Sequence, residues 1–268
     1  MLPADAPFMR YSTCSTQDFY HPEFIRMCYR AWVPPTYHRK AWEWVFIMHH
    51  ANRMGVVGPG KRGLVFGVGS EPLPGVFAED GMSVMATDAP PEIGITSGWT
   101  NRDQFAQNVD KLPHLSLNKE QFDSLVSFQP CDMNAIDPSL RGFDLCWSSC
   151  ALEHLGSLRK GVDFIINSVE QTLKVGGVAI HTTEYNLSSN KKTMEEGWCV
   201  LYRRRDMDEL VAELRSRGHE VDTFSVAPDS NVIDGYVDYP PYLDQPHLKL
   251  ELSGYVTTSV GIVVRRGT

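Results

Sequence analysis

The stretch Gly63–Asp88, GLVFGVGSEPLPGVFAEDGMSVMATD, decides the fold of this chain. The apolar run Leu64–Phe66 leads into the turn Gly67-Val68-Gly69, and a second apolar run follows and stops at Asp88. This order predicts a strand, a glycine turn, a helix, a strand and an acid, which is the first half of a nucleotide-binding α/β domain. Gly67 permits a tight turn, and Gly69 lets the backbone approach a ligand because it has no Cβ.

The spacing of Asp88 indicates the kind of ligand. Asp88 lies 19 residues after Gly69, close to the roughly 20-residue spacing of an acid that accepts hydrogen bonds from a ribose. The pattern therefore predicts an adenosine-type cofactor. The alternative is an ordinary turn between a strand and a helix, with no ligand.

The residues after the glycine turn do not suit a diphosphate. The third glycine of a dinucleotide site would stand at position 72, where this chain has Pro72, preceded by Glu71. Proline removes an N–H that could face a phosphate, and the glutamate places negative charge beside it. A cofactor that carries a sulfonium and an amino group tolerates the acid, which favours S-adenosylmethionine over NAD.

Composition narrows the classes of function. The chain has 268 residues and a formal net charge of -8, so we expect one embellished domain and no broad surface for nucleic acid. The six cysteines form no CxxC pair, which predicts a reducing, cytoplasmic location and no metal site. We find no signal peptide and no apolar run of about 20 residues, so no membrane span is expected.

The remaining pattern predicts the architecture. Helical periodicity in Pro22–Trp32 and His38–Arg53 predicts an N-terminal helical cap or extension over residues 1–58, or simply an additional packing layer. Residues 59–268 alternate strands and helices, which predicts an α/β, Rossmann-like, doubly wound sheet that is mostly parallel. An insert at 227–254 is rich in Pro, Tyr and Asp.

The second half of the chain predicts two further features of the sheet. An apolar stripe from Leu158 to Leu173 indicates a helix that ends at Gly176-Gly177. No helix separates the predicted strands Glu220–Val226 and Tyr255–Arg265, so we expect an antiparallel last strand at one edge.

Over residues 60–268 the chain resembles the class I S-adenosylmethionine-dependent methyltransferases, in particular the type 11-like group. The motifs that carry the resemblance are VFGVGSEP (65–72), MATD (85–88), CDMNAID (131–137), FDLCWSSCALEHLGS (143–157) and LKVGGVAIHTTEYN (173–186). A looser similarity to bacterial polysaccharide and sugar O-methyltransferases rests on HTTEYNLSSN and the last strands.

The resemblance implies a set of cofactor-binding residues. Asp88 would bind the ribose hydroxyls, Asp132 would accept the adenine amino group, and Met133 would pack on the adenine ring. The implied set is Gly67, Gly69, Ser70, Glu71, Asp88, Asp132, Met133, Ser148 and Ser149. The alternatives are that Asp132 is a helix N-cap and that Glu71 only caps the helix that follows it.

Methylation of a hydroxyl requires removal of its proton, so we expect a base near the carboxyl edge of the sheet. Glu184 at the end of the fifth strand is the first candidate, followed by His154 and His181. His154 has an equally good interpretation as a structural residue at the start of a helix. Strand alternation decides whether His181 points toward the site.

The predicted acceptor is a sugar hydroxyl in a glycan or a glycosylated small molecule. Tyr185 and Asn186 at the strand end, with Tyr236 and Tyr239 in the insert, are the candidate substrate-binding residues, because aromatic and polar side chains bind sugars. The insert could instead be a surface loop. The sequence leaves open an N- or O-methyltransferase of another metabolite, a non-catalytic domain of this fold, and a homo-oligomer.

Overall fold

A single mixed sheet organises the computed structural model of this chain, which describes residues 1–92 and 105–268. The described strands are β1 Arg62–Phe66, β2 Ser83–Asp88, β3 Val126–Pro130, β4 Phe143–Ser149, β5 Leu173–Asn186, β6 Glu220–Val221, β7 Lys249–Leu252 and β8 Tyr255–Arg265. Their order across the sheet is β3-β2-β1-β4-β5-β8-β6, and β7 pairs with β8 outside this path.

Strand direction confirms the predicted fold class. Strands β1 to β5 pair in parallel, whereas β8 runs antiparallel to β5, β6 and β7. The strand order reverses between β1 and β4, both of which are buried along their apolar stretch. In open α/β sheets a ligand site forms beyond the carboxyl ends of the strands at such a reversal.

Helices cover the sheet. The described α-helices are α1 Thr16–Phe19, α2 Pro22–Arg30, α3 Arg39–Arg53, α4 Leu73–Glu79, α5 Lys119–Leu125, α6 Leu158–Asn167 and α7 Arg204–Ser216. Short 3₁₀ turns lie at Val109–Lys111 and Leu152–His154, and one π-helical turn lies at Ser168–Thr172. None of the helices in the described part of the chain combines the length and apolarity needed to cross a bilayer.

The N-terminal helices share their core with the sheet. His38 caps α3, because its Nδ1 accepts a hydrogen bond of 3.0 Å from the Lys40 amide. Trp42 and Phe46 of α3 are buried in the same apolar cluster as Val65 of β1 and Trp147 of β4. Residues 1–58 therefore add a layer to this core, and the boundary at residue 58 stays a prediction.

Two predicted boundaries were wrong, and one strand was not predicted. The helix α6 ends at Asn167 and passes through the π-helical turn, so Leu173 already begins β5 and Gly176-Gly177 lies within that strand. The apolar stripe predicted too long a helix, because Leu173 is buried as the first residue of β5 and not as part of a helix. Strand β6 is only two residues long, and the end of the insert forms β7.

The contact between α3 and β8 gives the first testable prediction. A Cβ on Gly261 would lie 2.2 Å from Cε1 of Phe46. The Phe46 ring is itself wedged between Trp42 and His50, with ring centroids 4.9 and 4.2 Å away. We expect Gly261→Ala to lower the free energy of unfolding by about 1–3 kcal/mol in urea titrations, because this contact cannot relax easily.

The matched control is Gly235→Ala, where the nearest atom to a new Cβ is the Val232 carbonyl oxygen at 3.6 Å. Truncation of Phe46 to leucine should reduce the cost of Gly261→Ala. Equal unfolding midpoints for the two alanine variants would contradict the proposed packing of α3 on β8.

Candidate functional site

The glycine turn between β1 and α4 requires glycine for two reasons. Gly67 has a φ of +62°, and a Cβ there would lie 2.8 Å from the Cβ of Ala151. Gly69 has a φ of +52°, which also favours glycine. The amide of Glu71 donates to the Val68 carbonyl at 3.2 Å and closes the turn. The backbone thus bends sharply at the carboxyl end of β1, as predicted.

A cleft opens beside this turn. It has a volume of about 540 Å³ including the space open to solvent. One wall is the glycine turn and another is the first part of α3, and the end of β4 lies between them. The lining residues are Lys40, Trp44, Gly67, Val68, Gly69, Ser70, Glu71, Ser149 and Cys150.

Glu71 forms part of the wall with little exposure to solvent. Glu71 is 6% exposed, and its Oε1 accepts a hydrogen bond of 2.6 Å from the indole N–H of Trp147. Burial raises the pKa of Glu71 to about 8, although the Trp147 bond opposes the shift. The carboxyl therefore keeps its proton at neutral pH.

Asp88 lies under the glycine turn and is 1% exposed. Its Oδ2 accepts from the amides of Gly69 at 3.0 Å and Ala106 at 3.1 Å, and its Oδ1 accepts from the amide of Ala89 at 2.8 Å. Burial raises the pKa of Asp88 despite these bonds. A carboxylate has about four acceptor positions, so Oδ1 keeps one for a further donor.

The structure brings Met133, but not Asp132, against the turn. The Met133 Sδ lies 3.8 Å from the position of a Cβ on Gly67. Asp132 accepts a hydrogen bond of 2.8 Å from the Asn134 amide within a turn, and no helix follows it, so the helix N-cap that we kept as an alternative was wrong. The adenine contact of Asp132 stays a prediction.

Ser148 and His181 lie in the interior of the sheet rather than at the cleft. His181 is 1% exposed, and its Nδ1 and Nε2 lie 2.8 Å from Ser148 Oγ and 2.9 Å from Ser168 Oγ. Ser168 already donates to the Ile165 carbonyl, so it accepts from Nε2–H, and Ser148 donates to Nδ1. Burial lowers the pKa of His181 to about 3. Both ring nitrogens are thus engaged in structural bonds.

A buried carboxylate on α3 connects this helix to the site. Glu43 accepts hydrogen bonds from Ser149 Oγ and Cys150 Sγ, each at 3.1 Å, and from Ser259 Oγ. Lys40 Nζ lies 2.6 Å from Glu43 Oε2 and 3.3 Å from the Ser149 carbonyl oxygen. Burial would raise the pKa of Glu43, but Lys40 and Arg39 lower it to about 2.

Glu184 lies next to a second buried acid. It forms an ion pair with Arg39, and its Oε2 finds no hydrogen-bond partner among the described residues. Ligand atoms of Cys150, Glu153 and Glu184 lie within 4.8 Å of one another, a separation that could hold a metal ion. Burial and the charge of Glu184 raise the pKa of Glu153 to about 8, while Arg39 already supplies a positive charge here.

The structure places three other candidates in structural contacts. His154 Nδ1 lies 2.6 Å from the Trp198 carbonyl oxygen. Tyr185 is buried and packs on Phe224. Asn186 bonds to Lys192, Thr193, Ser188 and Ser189, and so organises the loop that follows β5.

The insert supplies exposed aromatic side chains, while its acids are engaged elsewhere. Tyr236 is 38% and Tyr239 60% exposed. Asp234 accepts from the Thr16 amide at 2.8 Å, and Asp238 contacts His247 Nδ1 at 2.6 Å. Asp234 thus fixes the insert to α1, and Asp238 connects two parts of the insert to each other.

Sequence reasoning missed the residues that α3 contributes. Arg39, Lys40 and Trp44 border the site, and Glu43 anchors them, in the sequence RKAWEWVFIMHH. The available signal was an acid within an otherwise apolar helical face, since a buried glutamate requires a partner. Cys150 and Glu153, after β4, were also missed.

The similarity of this chain to known proteins is one of structure and not of sequence. No family model and no curated protein matches the sequence. A candidate sarcosine dimethylglycine methyltransferase from Galdieria sulphuraria aligns with a TM-score of 0.52 and 14% identity, over 85% of this chain and 84% of that chain. This similarity shows the fold.

Two further solved structures match with TM-scores too low to add to that argument. A S-adenosylmethionine-dependent methyltransferase from Clostridium acetobutylicum has a TM-score of 0.46 and 13% identity, over 91% of this chain and 96% of that chain. The glycopeptide N-methyltransferase MtfA has a TM-score of 0.47 and 14% identity, over 82% of this chain and 94% of that chain.

The protonated carboxyl of Glu71 should make stability depend on pH. Its pKa rises from 4.5 to about 8 on folding, so the unfolded chain ionises first and stability falls as pH rises through this window. Glu71→Gln removes that effect and keeps an acceptor for Trp147. We expect the variant to gain about 1–4 kcal/mol over the unmodified chain between pH 5 and pH 8.

Urea titrations at pH 5 and pH 8 measure this gain. Glu120→Gln, at an exposed position, is the control for the substitution itself. A stability difference between Glu71→Gln and the unmodified chain that stays constant across the two pH values would show that Glu71 is ionised when buried.

Proposed function

We propose that this chain, which has the fold of the class I S-adenosylmethionine-dependent methyltransferases, transfers a methyl group to a hydroxyl of a small-molecule or glycan acceptor. One observation carries the proposal. The glycine turn at the end of β1 forms the wall of a cleft at the reversal point of the sheet, next to the buried acids Glu153 and Glu184.

The residues of the cleft suit a cofactor without phosphate. Pro72 precedes α4 and offers no N–H, and Glu71 adds a carboxyl group where a phosphate would need donors. Lys40 supplies a cation on the opposite wall, and Met133 supplies an apolar contact beside Gly67. S-adenosylmethionine would supply a methyl group activated by a sulfonium.

Glu184 is the residue that we propose as the proton acceptor. A hydroxyl acceptor must lose its proton as the methyl group is transferred. Glu184 Oε2 is buried and has no hydrogen-bond partner among the residues described, so it can accept one. Arg39 holds the other oxygen and fixes the orientation of the carboxylate. This arrangement favours Glu184 over His154, whose Nδ1 contacts the Trp198 carbonyl oxygen, and over His181, whose ring nitrogens both contact serine hydroxyls.

A sugar hydroxyl is the acceptor that we favour. His247 stacks on His38 with ring centroids 4.8 Å apart, and Tyr242 meets His247 edge-on at 5.5 Å. His38 immediately precedes Arg39, so this aromatic strip leads toward the Arg39–Glu184 ion pair. Rings of this kind stack on sugars, and Tyr236 and Tyr239 of the same insert are exposed.

Calorimetric titration with S-adenosylhomocysteine, the product left after transfer, tests the cofactor. We expect micromolar binding to the unmodified chain. Asp88→Ala should weaken that binding by about 1–3 kcal/mol, or roughly 5–150-fold, because a charged acceptor is lost and the Gly69 amide loses its partner.

Asp163→Ala is the control, since Asp163 is an exposed residue of α6 that pairs with Arg159. Circular dichroism establishes that each variant is folded. No binding to the folded, unmodified chain would favour the non-catalytic alternative, and unchanged affinity in folded Asp88→Ala would remove Asp88 from the site.

Glu184→Gln tests the proton acceptor. We expect transfer from radiolabelled S-adenosylmethionine to a sugar acceptor, found by screening, to fall by about 10²–10⁴-fold, the usual contribution of a general base. Affinity for S-adenosylhomocysteine should stay the same.

The control is Glu220→Gln, because the Glu220 side chain is 81% exposed. Full turnover in Glu184→Gln would exclude Glu184 as the base. Activity on metabolites that lack a sugar, with none on sugars, would favour the alternative acceptor class.

A further inference from the structure

The carboxyl of Glu71 is a buried acid in the wall of the cleft with no cation of its own. Its Oε1 accepts a hydrogen bond from the neutral indole of Trp147, from β4, and the neutral indole of Trp44 also lies near it. Lys40 of α3 lines the same cleft, but its ammonium is bound to Glu43 and to the Ser149 carbonyl oxygen. Such a carboxyl is costly to ionise, and a ligand cation would remove that cost.

The groups around Glu71 determine its protonation. Lys40 favours the ionised form, Glu43 opposes it, and burial outweighs both, so the pKa lies at about 8. Ser70, Ser149 and Cys150 also line the cleft. Burial also raises the pKa of the Cys150 thiol well above its usual value, so Cys150 adds no charge at neutral pH.

We propose that Glu71 is the subsite for the ammonium group at the amino-acid end of the cofactor, and that it releases its proton to solvent when that group binds. This inference rests on the proposed function, since it requires a cofactor with an amino-acid end. The step balances: a neutral carboxyl and a ligand ammonium become a carboxylate–ammonium ion pair, and one proton passes to the buffer.

A cation in the same cleft complements this assignment of Glu71. An amino-acid end carries a carboxylate as well as an ammonium group. Lys40 lines the same cleft, and the indole N–H of Trp44 lies close enough to the Glu71 carboxyl to lower its pKa, although the two groups are not in hydrogen-bond geometry. The cleft therefore offers a latent anion at Glu71 and a cation at Lys40, which suits a zwitterion.

Calorimetry in two buffers of different ionisation enthalpy at pH 7 measures the proton release directly. We expect S-adenosylhomocysteine to release close to one proton per molecule bound, since a group with a pKa of about 8 is mostly protonated at pH 7. Its affinity should rise by up to about tenfold per pH unit between pH 6 and pH 8.

A second ligand and a second variant assign the proton to Glu71. Methylthioadenosine has no amino-acid end, so its binding should release no proton. Glu71→Gln should still bind S-adenosylhomocysteine, but without proton release or this pH dependence. Glu153→Gln removes the other buried acid with a raised pKa, and it should leave the release unchanged.

Different results would overturn the role of Glu71 and the proposed methyltransferase activity. Binding of S-adenosylhomocysteine with no dependence on the buffer would overturn the role of Glu71 and leave the methyltransferase proposal intact. The same holds if Glu153→Gln, rather than Glu71→Gln, abolishes the release. If folded protein binds neither ligand, both proposals fall.

Discussion

The buried Glu43 carboxylate is the interaction on which the site depends. It accepts hydrogen bonds from Ser149 and Cys150 at the end of β4 and from Ser259 of β8, and Lys40 balances its charge. These bonds fix the start of α3 over the carboxyl edge of the sheet. Loss of one partner of such a buried pair typically costs about 3–5 kcal/mol, so the cleft wall is strongly held.

Three buried glutamates at this edge differ because cations are unevenly distributed. Lys40 and Arg39 lower the pKa of Glu43 to about 2, whereas Glu71 and Glu153 have values of about 8. The two cations thus keep the Glu43 carboxylate ionised, whereas the Glu71 and Glu153 carboxyls stay neutral. A site with this asymmetry is prepared for a ligand that brings its own positive charge.

Local patterns predicted the parts of the structure that depend on neighbouring residues. The glycine turn, the acid at Asp88 and the antiparallel last strand all follow from short stretches, because turns and alternation are local properties. The helix end at Gly176-Gly177 was wrong because a stripe of apolar residues continued from a helix into a strand. The acid in the apolar face of α3 was a local signal that we missed, but its partner could not be predicted, because Glu43 and Ser259 are 216 residues apart in the chain.

The same helix that builds the cleft wall also fills the core. Trp42 and Phe46 are buried against the sheet, while Lys40 and Trp44 line the cleft two positions away along the helix. Moving α3 as a body would therefore expose core side chains. On this side, any adjustment of the cleft wall to a ligand therefore comes from rotation of the Lys40 and Trp44 side chains, which is a local motion faster than the displacement of a packed helix.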